Sequence, residues 1–566
     1  MKSAGNTWIR VTVTGILFLL LLSGTAFAEK EYTLTAACPS RCTEKVIARN
    51  GKDGLILSLP GFWDLSRITL EMANEESLLL GNEKKEVRAG EETDLSGMTG
   101  RKIPLRNGNG KDRGTLTVLQ GSEIPSLFLE VDAEALKRVN RSKGNMITEG
   151  RAVYMEADGT VAYDGALDQL KGRGNNTFRY SKKPYQLKLR EKASFSGMGK
   201  GKTWVLLANW LDVSLLRNQI VLDMSREIGL RNAVSCVQAD IWINGSYNGL
   251  YLLTEKIQIG RNRIDITNLE KATETVNDSP FCPGKTNTEK SDTHPLLRSY
   301  PQLRDPEDIT GGYLLTIEKR SRLKNNVLAG FLTKKGLSIR IKEPTYPSRA
   351  QAAYVFDRIT EMQDALTAED GINPETGKTF EEYLDVSSFA RKFLIEDWCK
   401  DFDFPGGSQF LYKDSDRVDP LFYAGPSWDY DLCFGNMALR GYPAGGRYVT
   451  AYRRDHNIYW LLYNHESFRE AAGRIWRNSF RNAAGILLSE KPASPESIVR
   501  PIEEYSARIR ASAAMNYRRW PVSSEASGQG SGGSFDNAVK YLKRWVAERT
   551  AWMDGEYMPE TAGNKD

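Results

Sequence analysis

The stretch EDWCKDFDFPGGSQFLYKDSDRVDPLFYAGPSWDYDLCFGN, residues 396–436, decides how the rest of the chain is read. Four of its acids, Asp401, Asp403, Asp429 and Asp431, form two tight pairs flanked by apolar and aromatic residues. Between the pairs, SQFLYKD alternates like a strand and DSDRVDP has the composition of a turn. LFYAGPSWDYD then predicts a second strand that ends on the acids. Two strands joined by a polar turn bring their ends together, so Asp401 and Asp403 are expected to face Asp429. Carboxylates that converge in an apolar setting repel one another unless a cation or a proton sits between them. Oxygen-only ligands favour a hard cation, Mg²⁺ or Mn²⁺. The same acids also read as turn and cap residues, and pattern alone leaves both readings open.

The chain has 566 residues, long enough for two or three domains with a large core. Hydrophobic residues make up 40% and charged residues 26%, within the globular range. A net charge of +5 is too mild to imply nucleic acid without a basic stripe, and no stripe interleaved with aromatics is present. Lys2 and Arg10 precede the apolar run VTVTGILFLLLLSGTAFA, and Ala26-Phe27-Ala28 supplies small residues for cleavage. Residues 1–28 are therefore expected to be a secretory signal peptide, with an uncleaved anchor as the alternative. No later segment is apolar enough to span a membrane, so an exported, soluble mature protein is expected.

Of the six cysteines, Cys38 and Cys42 in CPSRC are close enough to close a small loop in an oxidising compartment. Cys236, Cys282, Cys399 and Cys433 are scattered and make no zinc pattern. Cys399 and Cys433 both fall in the acidic stretch and are expected to be buried free thiols. With three histidines, His294, His456 and His465, a histidine-based nucleophile hydrolase or a zinc enzyme is disfavoured.

Working outward, residues 30–122 read as a small β-rich, sandwich-like domain, with runs such as GLILSLP, SRITLEM and GTLTVLQ between turn residues. SLFLEV and RAVYMEA predict strands. They lead to LKGRGNNTFRYSKKPYQLKL, where Gly172 and Gly174 bracket Arg173 before a strand bearing Lys182, Lys183 and Lys188. A glycine turn beside cations suits an anion such as phosphate, although most Gly-Asn turns are only turns. TWVLLANWLDVSLLRNQIVLDMSREIGL has helical spacing, with Arg217 and Asn218 opening the helix and Gly229 stopping it. AVSCVQADIWINGSYNGLYLLTEKI predicts a hairpin turning at Asn244-Gly245, with Glu255 at its end. Residues 268–308 read as an exposed polar insertion and 523–534 as a flexible loop. GGYLLTIEK and LSIRIKEP resume strand character, and helices dominate after Asn436.

Taken together, LKGRGNNTFRYSKKPYQLKL, WVLLANWLDVSLLRNQIVLDMSREIGL, INGSYNGLYLLTEKI, GGYLLTIEK, IEDWCKDFD and AGPSWDYDLCFGN resemble the CotH kinase family, over about residues 124–557. The resemblance implies an α+β fold, an atypical protein-kinase-like two-lobe domain behind the β-rich domain. It also implies transfer of the γ-phosphoryl group of ATP, with Mg²⁺ or Mn²⁺, to Ser or Thr of a protein substrate. By position, Asp403 resembles the catalytic-loop aspartate and Asp429 the aspartate that holds the metal, with Asp401 beside it. Lys188 resembles the strand lysine that pairs with phosphates, and Arg173 with its turn resembles the nucleotide-covering loop. Arg217 matches a helix arginine of the family, and Glu255 falls near the adenine-binding hinge. The sequence departs from the family at Asp401, where Asn is frequent, and at Asp397, where Glu is frequent. Phosphoryl transfer needs a metal, a cation beside the phosphates and an acid that places the nucleophile, and it requires no histidine. A nucleotide-binding pseudokinase or a structural spore- or cell-surface protein is the second reading, and a two-carboxylate glycosidase the third.

Overall fold

A computed structural model of the chain describes residues 33–277, 284–436, 443–452, 454, 456–522 and 532–558. The expected signal peptide, Cys282 and most of the expected loop 523–534 lie outside these residues. Among the described residues no helix is long and apolar enough to cross a membrane.

The architecture is mixed α and β, with several sheets and a β-rich N-terminal region. That region contains a six-stranded sheet, from Arg49–Gly51 through Gly54–Leu59 and Asp112–Gln120 to Lys85–Arg88 at the far edge. Its core residues Leu57, Trp63, Leu70, Leu105 and Val118 pack in one cluster with Phe128, Val153 and Trp242 of the following unit. The N-terminal β-structure is thus joined to its neighbour by a continuous apolar core. Cys38 and Cys42 are free thiols there, and Cys42 Sγ accepts from Trp63 Nε1 at 3.3 Å.

The following unit is a closed barrel. Ser126–Val131, Gly150–Met155, Val161–Gly172, Tyr185–Ala193 and Gly201–Leu207 follow one another, and Gly201–Leu207 pairs onward with Ser246–Glu255. Ser246–Glu255 pairs with Cys236–Ile243, which lies parallel to Ser126–Val131 and closes the ring. Tyr154, Leu187, Leu189, Trp204, Leu206, Ile241 and Leu253 fill its interior. Closure leaves these strands no unpaired edge. The expected hairpin is present, and Asn244 and Gly245 both take positive φ, 51° and 76°, as a two-residue type I′ turn requires.

The run TWVLL, included in a stretch read as helically spaced, is instead part of the barrel strand Gly201–Leu207. Trp204 and Leu206 point into the barrel, whereas Val205 and Leu207 pack outward against Leu314, Phe410 and Tyr412. A strand buried on both faces loses its alternation and cannot be told from a helix by periodicity. The helix begins at Arg217, runs to Glu227, and is followed by Gly229 at φ 74°.

A second, seven-stranded sheet includes Tyr313–Ile317, Ser338–Glu343, Gln409–Lys413 and Phe422–Ala424. Its alternation sorts two cores. Leu314, Phe410 and Tyr412 face the barrel, while Leu315, Ile317, Ile339 and Leu411 face the helices. The polar segment 268–308 is not a simple exposed insertion. It supplies the helix Leu269–Val276 and the sheet strands Asn287–Glu289 and Leu296–Ser299, and it buries Leu269, Leu297 and Tyr300. Few apolar residues per strand hid it from a compositional reading. The last helices are Ile502–Arg519, which opens just after Pro501, and Phe535–Tyr557, in the part of the chain expected to be helical. Ser534 caps the second by accepting from Asn537 N.

Candidate active site

Where the barrel meets the second sheet there is a cleft of about 680 Å³. The turn Arg173–Thr177 forms one wall, Leu207–Asn209 and Asn218 the floor, and Thr316, Arg340 and Lys342 the sheet side. Asp403, Ser408, Trp428, Asp429 and Asp431 complete it. The two strands predicted between the acid pairs do pair, Leu411 opposite Ala424, and this antiparallel ladder returns the chain to its starting end. Ser408, just before the first strand, consequently reaches Asp429 Oδ2 at 3.4 Å. Asp429 takes a left-handed backbone, φ 74°, which a non-glycine residue adopts at a cost met by its surroundings.

The four acids do not share one environment. Asp403, Asp429 and Asp431 line the cleft, whereas Asp401 lies behind its wall, 1% exposed. Neither carboxylate oxygen of Asp401 has a hydrogen-bond partner among the described residues. Burial, then the charges of Glu396, Asp403 and Asp429, push its carboxyl well above the usual range. Asp431 is raised well above by burial and by Asp429, Asp212 and Asp403. Burial also raises Asp429, although Arg173 draws it back down.

Arg173 is brought to the acids as the sequence suggested, and its guanidinium lies 5.3 Å from the centre of the Trp428 ring. Gly174 makes that turn possible, because at φ 81° a Cβ would meet Thr177 Oγ1 at 2.3 Å. Lys188 is not brought there. Leu187 and Leu189 occupy the barrel interior, so Lys188 projects from the other face, opposite Gln169 and Thr203, where it is exposed and outside the cleft. The sheet-side cations are Arg340 and Lys342. Lys342 sits 4.9 Å from the Phe410 ring centre, and its ammonium is pushed down to about 8 by burial and then by Arg340, Lys256 and Arg173. Sequence reasoning missed these two. The signal was present in SIRIK, where Ile339 and Ile341 turn to the core and the basic residues alternate with them.

Arg217 and Glu255 also lie outside the cleft lining. Arg217 is buried, pairs with Asp212 at 2.5 Å, and donates to the Cys433 carbonyl at 3.0 Å. It holds the acid-bearing loop against the helix start and is neither a surface charge nor a cleft residue. Its neighbour Asn218 accepts from Tyr430 N at 2.7 Å, and Asn436 Nδ2 donates to the Asp431 carbonyl at 2.7 Å. Glu255 is paired with Arg263 at 2.7 Å and accepts from Ser235 N at 2.9 Å, closing a strand end. Asp397 accepts from Tyr448 N and Val449 N, each at 2.8 Å, and pairs with Arg549 at 2.8 Å. Cys399 and Cys433 are buried free thiols, as expected.

A family model described as CotH kinase protein matches residues 170–553. The chain belongs to the CotH family. None of the curated proteins compared with it matches. The matched span covers the cleft residues Arg173 through Asp431, while the N-terminal β-structure precedes it. CotH membership supports a kinase-like protein, for which ATP and a divalent metal are the general expectation. Among the described residues no three carboxylate, histidine or cysteine side chains form a group that holds an ion unaided. The repelling pair Asp429 and Asp431, both on the cleft lining, nevertheless fits a cation beside it. They suit a hard ion that takes one or two carboxylates and draws its remaining ligands from phosphate and water, as Mg²⁺ does.

Proposed function

We propose that this CotH protein is an exported atypical protein kinase that transfers the γ-phosphoryl group of ATP to a Ser or Thr hydroxyl of a protein. The observation that carries the reading is that Asp403 and Asp429, 26 positions apart (429 − 403), line one cleft together with Arg173, Arg340 and Lys342. The cleft volume suits a nucleotide. The two-lobe description fits a nucleotide lying between the barrel and the second sheet. Export rests on the character of residues 1–28.

In this reading Arg173, Arg340 and Lys342 receive the phosphates, the role that the family resemblance implied for Lys188. Asp429, with Asp431 beside it, would hold Mg²⁺ or Mn²⁺, which supplies charge neutralisation on the phosphate oxygens when bound. Asp403 orients the acceptor hydroxyl and takes its proton as the new O–P bond forms and the bond to the β-phosphate oxygen breaks, releasing ADP. Ser408 and Asn218 fix Asp429 and its loop, so that little reorganisation accompanies transfer. The test is incubation of the mature chain with γ-labelled ATP, Mn²⁺ and co-secreted proteins. Label is expected in phosphoserine or phosphothreonine. Binding of ATP without transfer would instead make the protein a pseudokinase.

A further inference from the structure

Between Asp429 and Asp431 stands Tyr430, which turns away from both. The two acids line the cleft, whereas Tyr430 is wholly buried behind it. Its ring reaches the helix Val386–Cys399, where Lys392 and Glu396 lie about one turn apart and are equally buried. The Tyr430 hydroxyl donates to Glu396 Oε1 at 2.7 Å and accepts from Lys392 Nζ at 2.7 Å. Lys392 Nζ also donates to Glu396 Oε1, so one carboxylate oxygen carries both bonds. At the backbone end, Tyr430 N donates to Asn218 Oδ1, on the helix Arg217–Glu227. None of Lys392, Glu396 and Tyr430 lines the cleft.

A buried lysine–glutamate pair contributes little net stability, because desolvation offsets most of the attraction, and its best-attested use is to fix one arrangement over others. Here the arrangement is that of the two acids. Asp429 and Asp431 repel one another and Asp429 holds a left-handed backbone, so both would relax if the residue between them could turn. We propose that Lys392, Glu396 and Tyr430 form a positioning unit that keeps Asp429 and Asp431 convergent on the divalent ion. The inference rests on the kinase reading and extends the site to residues outside the cleft. Charge-assisted bonds hold the ring of Tyr430 at one end and Asn218 holds its backbone at the other, so the acids are in place before the ion arrives. Outer partners of this kind set metal affinity without touching the metal.

The test compares the mature chain with Tyr430→Phe, which removes the hydroxyl and keeps the ring and the buried ion pair. Tyr313→Phe is the control. The Tyr313 hydroxyl belongs to an equally buried side chain, donates to the Ile309 and Gln351 carbonyls at 2.6 and 3.1 Å, and lies outside the cleft lining. Mn²⁺ affinity is read from the paramagnetic resonance signal of the free ion, with a non-hydrolysable ATP analogue present, and stability from the urea midpoint. Tyr430→Phe is expected to weaken Mn²⁺ binding about tenfold and Tyr313→Phe to leave it within about twofold, although both lower the midpoint. Unchanged Mn²⁺ affinity in Tyr430→Phe, or an equal loss in Tyr313→Phe, overturns the positioning unit and leaves the kinase reading standing. No Mn²⁺ binding by the unsubstituted chain overturns both.

Discussion

Replacing Lys342 by methionine is expected to stabilise the protein and to weaken its hold on nucleotide. Lys342 is held in the cleft with its ammonium pushed from 10.5 down to about 8, first by burial and then by Arg340, Lys256 and Arg173. A fall of that size corresponds to about 3 kcal/mol of penalty on the charged form. Part of the side chain still meets water, so screening reduces this to about 2 kcal/mol. Methionine keeps most of the apolar stem over Phe410 and removes the charge. The sign follows from proton linkage. Below pH 8 the lysine is charged in both the folded and the unfolded chain, and the full penalty is present. Between pH 8 and 10.5 the folded chain binds fewer protons than the unfolded one, so wild-type stability rises and the advantage of the variant fades. Nucleotide acts oppositely. At about a hundredfold excess over its dissociation constant, ATP adds about 2.7 kcal/mol to the wild type. Loss of a charge-assisted contact of about 2 kcal/mol cuts that to under about 1 kcal/mol. Urea midpoints read by tryptophan emission at pH 7 and pH 10, with and without ATP and Mn²⁺, measure all four states. A variant that is less stable at pH 7, or that keeps the full ATP effect, would refute the assignment of Lys342 to the phosphates.

Arg217→Met leaves the Asp212 carboxylate buried and unpaired and frees the Cys433 carbonyl, so unfolding should become easier by about 3–5 kcal/mol. A loss below about 1 kcal/mol accompanied by lost ATP binding would return Arg217 to the nucleotide. Asp401→Asn should raise the urea midpoint at pH 7, because burial and neighbouring carboxylates penalise the ionised form. The gain should vanish below about pH 4, where aspartate is protonated folded or unfolded, and a gain that persists there would contradict the electrostatic cause. Lys188→Met should leave ATP affinity within about twofold, as measured by calorimetry, because the side chain lies outside the cleft.

Much of this was legible before any fold was known. The hairpin at Asn244-Gly245, the paired strands between the acids and the final helices carry strong local signals, namely a turn dipeptide, alternation and a 3.6-residue period. The burial of TWVLL on both faces erased its alternation, so the strand was grouped with the helically spaced run that follows it. Segment 268–308 passed for a loop because only a few apolar residues fix each of its strands in the sheet. At the site, Asp403, Asp429 and Arg173 followed from position, whereas Lys188 did not. A single-residue register decides which face of a strand a side chain takes, and motif order does not encode it. The barrel's closure put Lys188 on its exposed face, and the second sheet supplied Arg340 and Lys342 from a segment read only as strand.

The central claim is that Asp403 and Asp429 act on one bound nucleotide in different capacities. Mn²⁺-dependent ATP binding by calorimetry, paired with label transfer from γ-labelled ATP, measures it for the wild type, Asp429→Asn and Asp403→Asn. The account predicts that Asp429→Asn loses metal-dependent binding and transfer together, and that Asp403→Asn keeps the binding and loses at least about a hundredfold in transfer. Transfer that survives Asp403→Asn, or metal-dependent binding that survives Asp429→Asn unchanged, would contradict it.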